Sequence, residues 1–140
     1  MSAMSEKYRH DNEMVDGEHK LQVELIEALQ ASLQSPLQVP GTIPLMEQLQ
    51  SFCSAHFMSE ELLMRLCSYP GYDDHAADHE RTMDALAAIE PSMTGDAAVA
   101  SEKLGEIKGF LCAHIRSRDA AFSDYYRRWS STGKGEQLTD

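Results

Sequence analysis

The chain has 140 residues, 42% of them hydrophobic, and sets 12 Lys and Arg against 23 Asp and Glu for a formal net charge of -11. That length accommodates one domain with a real core and is too short for two. No stretch approaches the roughly 18 apolar residues of a membrane span, and the N-terminus lacks the apolar run of a signal peptide, so the expected location is the cytosol. The acidic balance argues against nucleic acid or an anionic membrane as partner, because clustered positive charge supplies most of the affinity for either.

Residues 1–15 read as a polar N-terminal segment, in which His10 stands without a periodic partner and reads as a solvated side chain. Asp16 is a good N-cap for a first helix that runs to about Gln34, where Ser35-Pro36 and Val39-Pro40-Gly41 break it. Thr42, with Pro44 just inside, starts a second helix that carries Leu45, Leu49, Phe52, His56 and Leu63 to about Cys67. Tyr69-Pro70-Gly71 ends it. Asp73 or Asp74 is expected to cap a third helix, which runs to about Ile89 ahead of Glu90-Pro91. The fourth is expected to start near Thr94 or Asp96 and to reach Trp129.

Four long helices joined by short loops predict an all-α fold, an antiparallel up-down-up-down bundle over residues 16–129 with a metal site in its core. Residues 130–140, rich in Ser, Thr, Gly and charge, read as a polar tail or linker. Gly133-Lys134-Gly135 is no phosphate loop, since neither the upstream glycine nor the Ser or Thr after the lysine is present. Cys53, Cys67 and Cys112 form no C-x-x-C spacing and leave an odd count, which predicts reduced thiols. Met46, Met58, Met64 and Met83 read as gap-filling core or surface.

The chemistry lies in the histidines. Five of the six fall into a spaced set with two carboxylates: His19, then His56 and Glu60, then His75 and His79, then His114 and Asp119. At about 100° per residue, positions four apart share a helix face, so His56 with Glu60 and His75 with His79 can each chelate from one helix. His114 and Asp119 are five apart and would sit roughly 140° from each other on an ideal helix. A bend or a π-bulge between Leu111 and Phe122 is expected to reconcile them. Each helix brings a histidine to one interior, which predicts a two-metal site within the bundle.

These motifs resemble those of the hemerythrins of the bacterial kind. D-x-x-H-K opens the first helix (Asp16, His19, Lys20), and H-F-x-x-E-E lies in the second (His56, Phe57, Glu60, Glu61). H-x-x-x-H falls in the third (His75, His79) and H-I-x-x-x-D in the fourth (His114, Ile115, Asp119), so the resemblance covers residues 16 to 119 in order. It implies two iron ions with an oxo or hydroxo bridge. His75, His79 and His114 would hold one, His19 and His56 the other, and Glu60 with Asp119 would bridge them. The chain departs from the family pattern in having no tryptophan in residues 1–15, where Tyr8 is the only aromatic, and no aromatic shortly after His19.

Imidazole suits iron, and five neutral histidines with two bridging carboxylates suit a redox-active pair. Three histidines saturate one ion and two leave the other with an open position for O₂. Di-iron proteins that oxidise substrates usually carry more carboxylate, in paired Glu-x-x-His motifs; no Glu here has a His three residues later. The expectation is reversible O₂ binding without enzymatic turnover, for carriage or storage or as an oxygen- or redox-sensing module, which a fused or docked signalling output domain would read. The alternative is a di-iron enzyme with peroxidase-like or iron-centre repair activity. Phe57, Phe110, Leu111 and Ile115 adjoin ligands and are placed around the open position, as an apolar wall against water.

Overall fold

The computed structural model describes residues 3–34 and 41–132, with side chains from Gly17 onward. Helices α1 (Ala3–Gln34), α2 (Thr42–Leu66), α3 (Tyr72–Gly95) and α4 (Ala97–His114) pack as a ring of neighbours, α1 on α2, α2 on α3, α3 on α4 and α4 back on α1. A π-helical turn, Ile115–Asp119, joins α4 to α5 (Ala120–Ser131), so that the three together form one long fourth arm. The distortion expected between Leu111 and Phe122 is this turn. No strand occurs among the described residues. The all-α bundle is therefore the fold.

Each helix buries one stripe at spacings of three and four: Ile26, Leu29 and Leu33 on α1; Met46, Leu49, Cys53 and Phe57 on α2; Leu86, Ile89 and Met93 on α3; Ala100, Leu104, Ile107 and Leu111 on α4. This is the main apolar core. A second cluster combines Met64, Cys67, Phe122, Tyr125, Tyr126 and Trp129, with Leu63, Tyr69 and Tyr72 against it. The polar histidine stripe falls between the two. Along α2 the order is core, then His56 and Glu60, then Met64; along α3 it is Tyr72, then His75 and His79, then core.

Several boundaries differ from those read from the sequence. α1 begins at Ala3, not at a cap on Asp16, because residues 3–16 contain neither Gly nor Pro and nothing in them stops a helix. The side chains of His10 and Asp16, the break at residues 35–40 and the tail from residue 133 lie outside the described residues. α3 starts after Gly71, with Asp73 and Asp74 in its first turn, where they suit the positive end of the helix dipole without capping it. It also runs through Pro91 to Gly95. Pro91 is exposed while Ile89 and Met93 on either side are buried, so packing of that stripe outweighs the lost backbone hydrogen bond.

α2 ends in a tight reversal. Ser68 takes a left-handed conformation with φ 52°, its amide donating to the Arg65 carbonyl and that of Tyr69 to Met64. Asp96 caps α4 as expected, its Oδ1 accepting from the Val99 amide at 3.2 Å. Tyr125 fastens α5 to the end of α2, its hydroxyl donating to the buried Cys67 carbonyl at 2.9 Å. Tyr125→Phe removes that bond with little change of volume and is expected to destabilise the protein by about 0.5–1.5 kcal/mol in chemical denaturation.

Candidate metal centre

The ligand positions continue the apolar stripes, so the packing that builds the core also turns them inward. His19, His56, Glu60, His75, His79, His114 and Asp119 are all buried. Helical spacing alone places His56 with Glu60 and His75 with His79. For the fourth arm the π turn does the work: its wider winding carries Asp119 round to the face of His114, and His114 Nε2 lies 3.1 Å from Asp119 Oδ1.

The two carboxylates lie between two groups of imidazoles. Glu60 Oε1 is 3.0 Å from His79 Nε2 and 3.5 Å from His75 Nε2, while its Oε2 is 3.3 Å from His19 Nε2 and 3.4 Å from His56 Nε2. Asp119 repeats the division, with Oδ1 2.8 Å from His75 Nε2 and Oδ2 2.9 Å from His19 Nε2. One oxygen of each carboxylate thus faces the set His75, His79 and His114, and the other faces the set containing His19.

His19 Nε2 and Glu60 Oε2 are hydrogen-bonded, but most of these close approaches are not hydrogen bonds. His56, His75, His79 and His114 Nε2, Glu60 Oε1 and Asp119 Oδ1 are all buried without a hydrogen-bond partner. Donor atoms of Glu60, His75, His79, His114 and Asp119 lie within 4.8 Å of one another, as do those of His19, His56 and Glu60. Nitrogen lone pairs and carboxylate oxygens that converge without satisfying one another suit a cation at each point, and a set of imidazole and carboxylate donors accepts iron. The residues fit a metal pair. They fit it unequally, with three imidazoles on one side and two on the other.

A ring of outer carboxylates orients the histidines, and sequence reasoning missed it. Glu18 on α1 meets His56 Nδ1 on α2 at 2.5 Å, Glu61 on α2 meets His79 Nδ1 on α3 at 2.8 Å, and Asp78 on α3 meets His114 Nδ1 on α4 at 2.9 Å. Arg118 Nε in turn donates to Asp78 at 2.7 Å. Each of these carboxylates adjoins a proposed ligand in sequence, Glu18 beside His19, Glu61 beside Glu60 and Asp78 beside His79, yet serves the next helix. That adjacency was the available signal. An Nδ1–H held by a carboxylate keeps Nε2 as the inward lone pair and raises its basicity.

Of the residues placed around an open position, Phe57 stacks on His79 with ring centroids 4.0 Å apart and lies 5.9 Å from His56. Leu111 is fully buried in the main core and Ile115 packs partly buried against it. Phe110 does not join them. It precedes Leu111 by one position, off the stripe of Leu104, Ile107, Leu111 and His114, and so faces an outer groove between α3 and α4 beneath the Arg81 guanidinium, 4.5 Å from its ring centre. The aromatics that do close the site came from elsewhere: Phe122 sits edge-on 6.2 Å from His75, backed by Tyr126 and then Trp129. The only tryptophan of the chain is thus in the fourth arm.

Without metal the charges must be balanced by protons. Burial pushes His19 and His75 towards neutrality, but Asp119 and Glu60 overcome it and raise both to about 9. Burial likewise opposes ionisation of Glu60 and Asp119, and the surrounding imidazoles reverse it, holding both carboxyls well below their usual range. A histidine raised in the folded state from 6.5 to about 9 stabilises fully below pH 6.5 and loses that contribution as pH rises through 9, on the order of 3 kcal/mol for each. Metal-free protein is therefore expected to lose thermal stability between pH 6.5 and 9, while metal-loaded protein, whose imidazoles are already neutral, is expected to hold its melting temperature across that range. Glu61→Ala, which frees His79 Nδ1, is expected to weaken metal binding about 10- to 100-fold in a chelator competition.

Residues 10–125 match the family model described as the hemerythrin HHE cation binding domain. Three relatives called bacteriohemerythrin, one from Pseudomonas paraeruginosa and two from strains of Pseudomonas aeruginosa, are each 27% identical over 115 residues, which is 82% of this chain and 74% of theirs. No solved structure matches.

Proposed function

Since the chain belongs to the hemerythrin family, we propose that it binds O₂ reversibly at a pair of iron ions held by His19, His56, Glu60, His75, His79, His114 and Asp119. The observation that carries this reading is the division of both carboxylates between two unequal imidazole groups. His75, His79 and His114 would hold one ion, His19 and His56 the other, and Glu60 with Asp119 would be shared between them. When bound, the iron pair supplies the electrons and the open coordination position that O₂ requires.

The protein's part is to hold, to exclude and to balance charge. Two carboxylates and no paired Glu-x-x-His motif keep the donor set rich in neutral imidazole, which favours binding over oxidation of a second substrate. Glu18, Glu61 and Asp78 fix the tautomer of His56, His79 and His114, so that their Nε2 atoms point inward. Phe57, Leu111 and Ile115 form an apolar wall that keeps water and its protons from the open position. The aromatic layer of Phe122, Tyr126 and Trp129 closes the other side. No helix among the described residues is long and apolar enough to cross a membrane.

Purified protein is expected to carry about two irons and to take up one O₂ per chain when reduced, releasing it under vacuum. Elemental analysis with oxygen-uptake measurement checks both. Asp119→Ala is expected to lose much of the iron, and wild-type iron content and O₂ uptake in that variant would remove Asp119 from the ligand set.

A further inference from the structure

The outer face of α2 is unlike the surface around it. Met58, Leu62 and Leu66 are 66%, 61% and 64% exposed, and with Ile43 they make up four of the six large hydrophobic side chains exposed among the described residues. Steps of four put these three on one face. Leu62 lies nine positions from buried Cys53, half a turn round from the core stripe, so the face points directly away from the bundle. Exposed Ser51 and Ala55 continue it towards the helix start as a shallower half. Contiguous exposed apolar surface marks an interaction site.

Charge decides what fits there. α3 exposes five acids, Asp73, Asp74, Glu80, Asp84 and Glu90, whereas α2 exposes one acid and one base, Glu47 and Arg65. In a chain of net charge -11, α2 thus offers a locally neutral, apolar face that a second negatively charged copy can approach without local repulsion. Glu47 and Arg65 are 18 positions apart, five full turns and about 27 Å of helix, so they stand at the two ends of one edge of the face. A two-fold axis in the contact plane reverses the direction of the helix and keeps that edge on the same side. With the axis level with position 56, nine residues from each, Arg65 of either copy comes level with Glu47 of the other.

We propose that two copies of the chain associate through this face, α2 against antiparallel α2, as a two-fold dimer closed at each end by an Arg65–Glu47 ion pair between copies. The same register matches shapes. It sets Leu62 between the levels of Gln48 and Ser51 of the second copy, and Met58 between those of its Ser51 and Ala55, so the bulky half of each helix seats on the shallow half of the other. A crossing angle of about 20°, the class found in helical bundles, keeps two helices in contact over that length. Arg65 Nη1 donates to the Tyr72 hydroxyl at 2.9 Å, which holds the guanidinium near the end of α2 and leaves it further donors for a carboxylate. The proposal asks nothing of the metal centre, whose α2 residues His56 and Glu60 face the other way.

The test is sedimentation velocity of the iron-loaded full chain over a dilution series, with iron measured on the same samples. Wild type is expected to pass reversibly from monomer to dimer as concentration rises. Leu62→Glu, a change at an exposed position, is expected to stay monomeric where wild type is dimeric, with helicity by circular dichroism and iron content unchanged. Glu47→Arg and Arg65→Glu are each expected to weaken dimerisation at least about tenfold, and the double variant, which keeps the wild-type net charge, is expected to recover it. Wild type that is monomeric throughout overturns the proposal. So does a dimer that survives Leu62→Glu, which places the contact on another face. Single reversals without effect, or a double variant that fails to recover, overturn the antiparallel pairing of α2 with its copy.

Discussion

Two ionised carboxylates inside a helical bundle set the conditions for everything around them. Glu60 and Asp119 are 2% and 6% exposed, and burying even one unpaired carboxylate costs several kcal/mol. The five imidazoles resolve this. Without metal, His19 and His75 supply the compensating positive charge, the two carboxylates pulling both up to about 9 against their own burial. With metal the imidazoles would be neutral donors and the bound cation would carry the charge. The bundle is thus built to hold positive charge between these side chains, and the choice between proton and metal is made by what the solution offers.

That requirement propagates outward. A histidine that must present Nε2 inward needs its Nδ1 occupied, and on three of the helices the residue beside a proposed ligand reaches across to do so. The arrangement couples neighbours in the ring: α1 orients α2, α2 orients α3, and α3 orients α4. A small rotation of any helix would misplace both its own ligands and those of the next. The apolar stripes that set these rotations are therefore part of the site, and Leu104 or Leu86, buried in the main core away from the proposed ligands, help to aim the donors.

The aromatic layer solves a different problem. A polar stripe at mid-bundle needs cover at both ends. The main core provides one side; α5 provides the other, with Phe122, Tyr125, Tyr126 and Trp129 packed on Met64 and Cys67. This is possible because the π turn advances the winding of the fourth arm, so that one helical run carries core residues, then His114 and Asp119, then the aromatic cover, all facing inward. The polar first fifteen residues lack a tryptophan, and Trp129 on α5 backs the aromatic layer whose Phe122 meets His75.

What could be read from the sequence alone is what depends on near neighbours along the chain. The 3.6-residue period marks four helical stripes, the spacing of four pairs His56 with Glu60 and His75 with His79, and the awkward spacing of five between His114 and Asp119 calls for a distortion, a bend or a π-bulge, of which the structure shows the second. The family motifs added which donors belong together. Only the tertiary structure decided which carboxylate meets which histidine, because Glu18, Glu61 and Asp78 act between helices, and the register of one helix against another is set by packing of side chains far apart in sequence. It likewise turned Phe110 to an outer groove, carried α3 through Pro91 and left His75 Nδ1 without a partner. Periodicity tells that a residue points towards the core; which neighbour waits there follows from how the whole bundle closes.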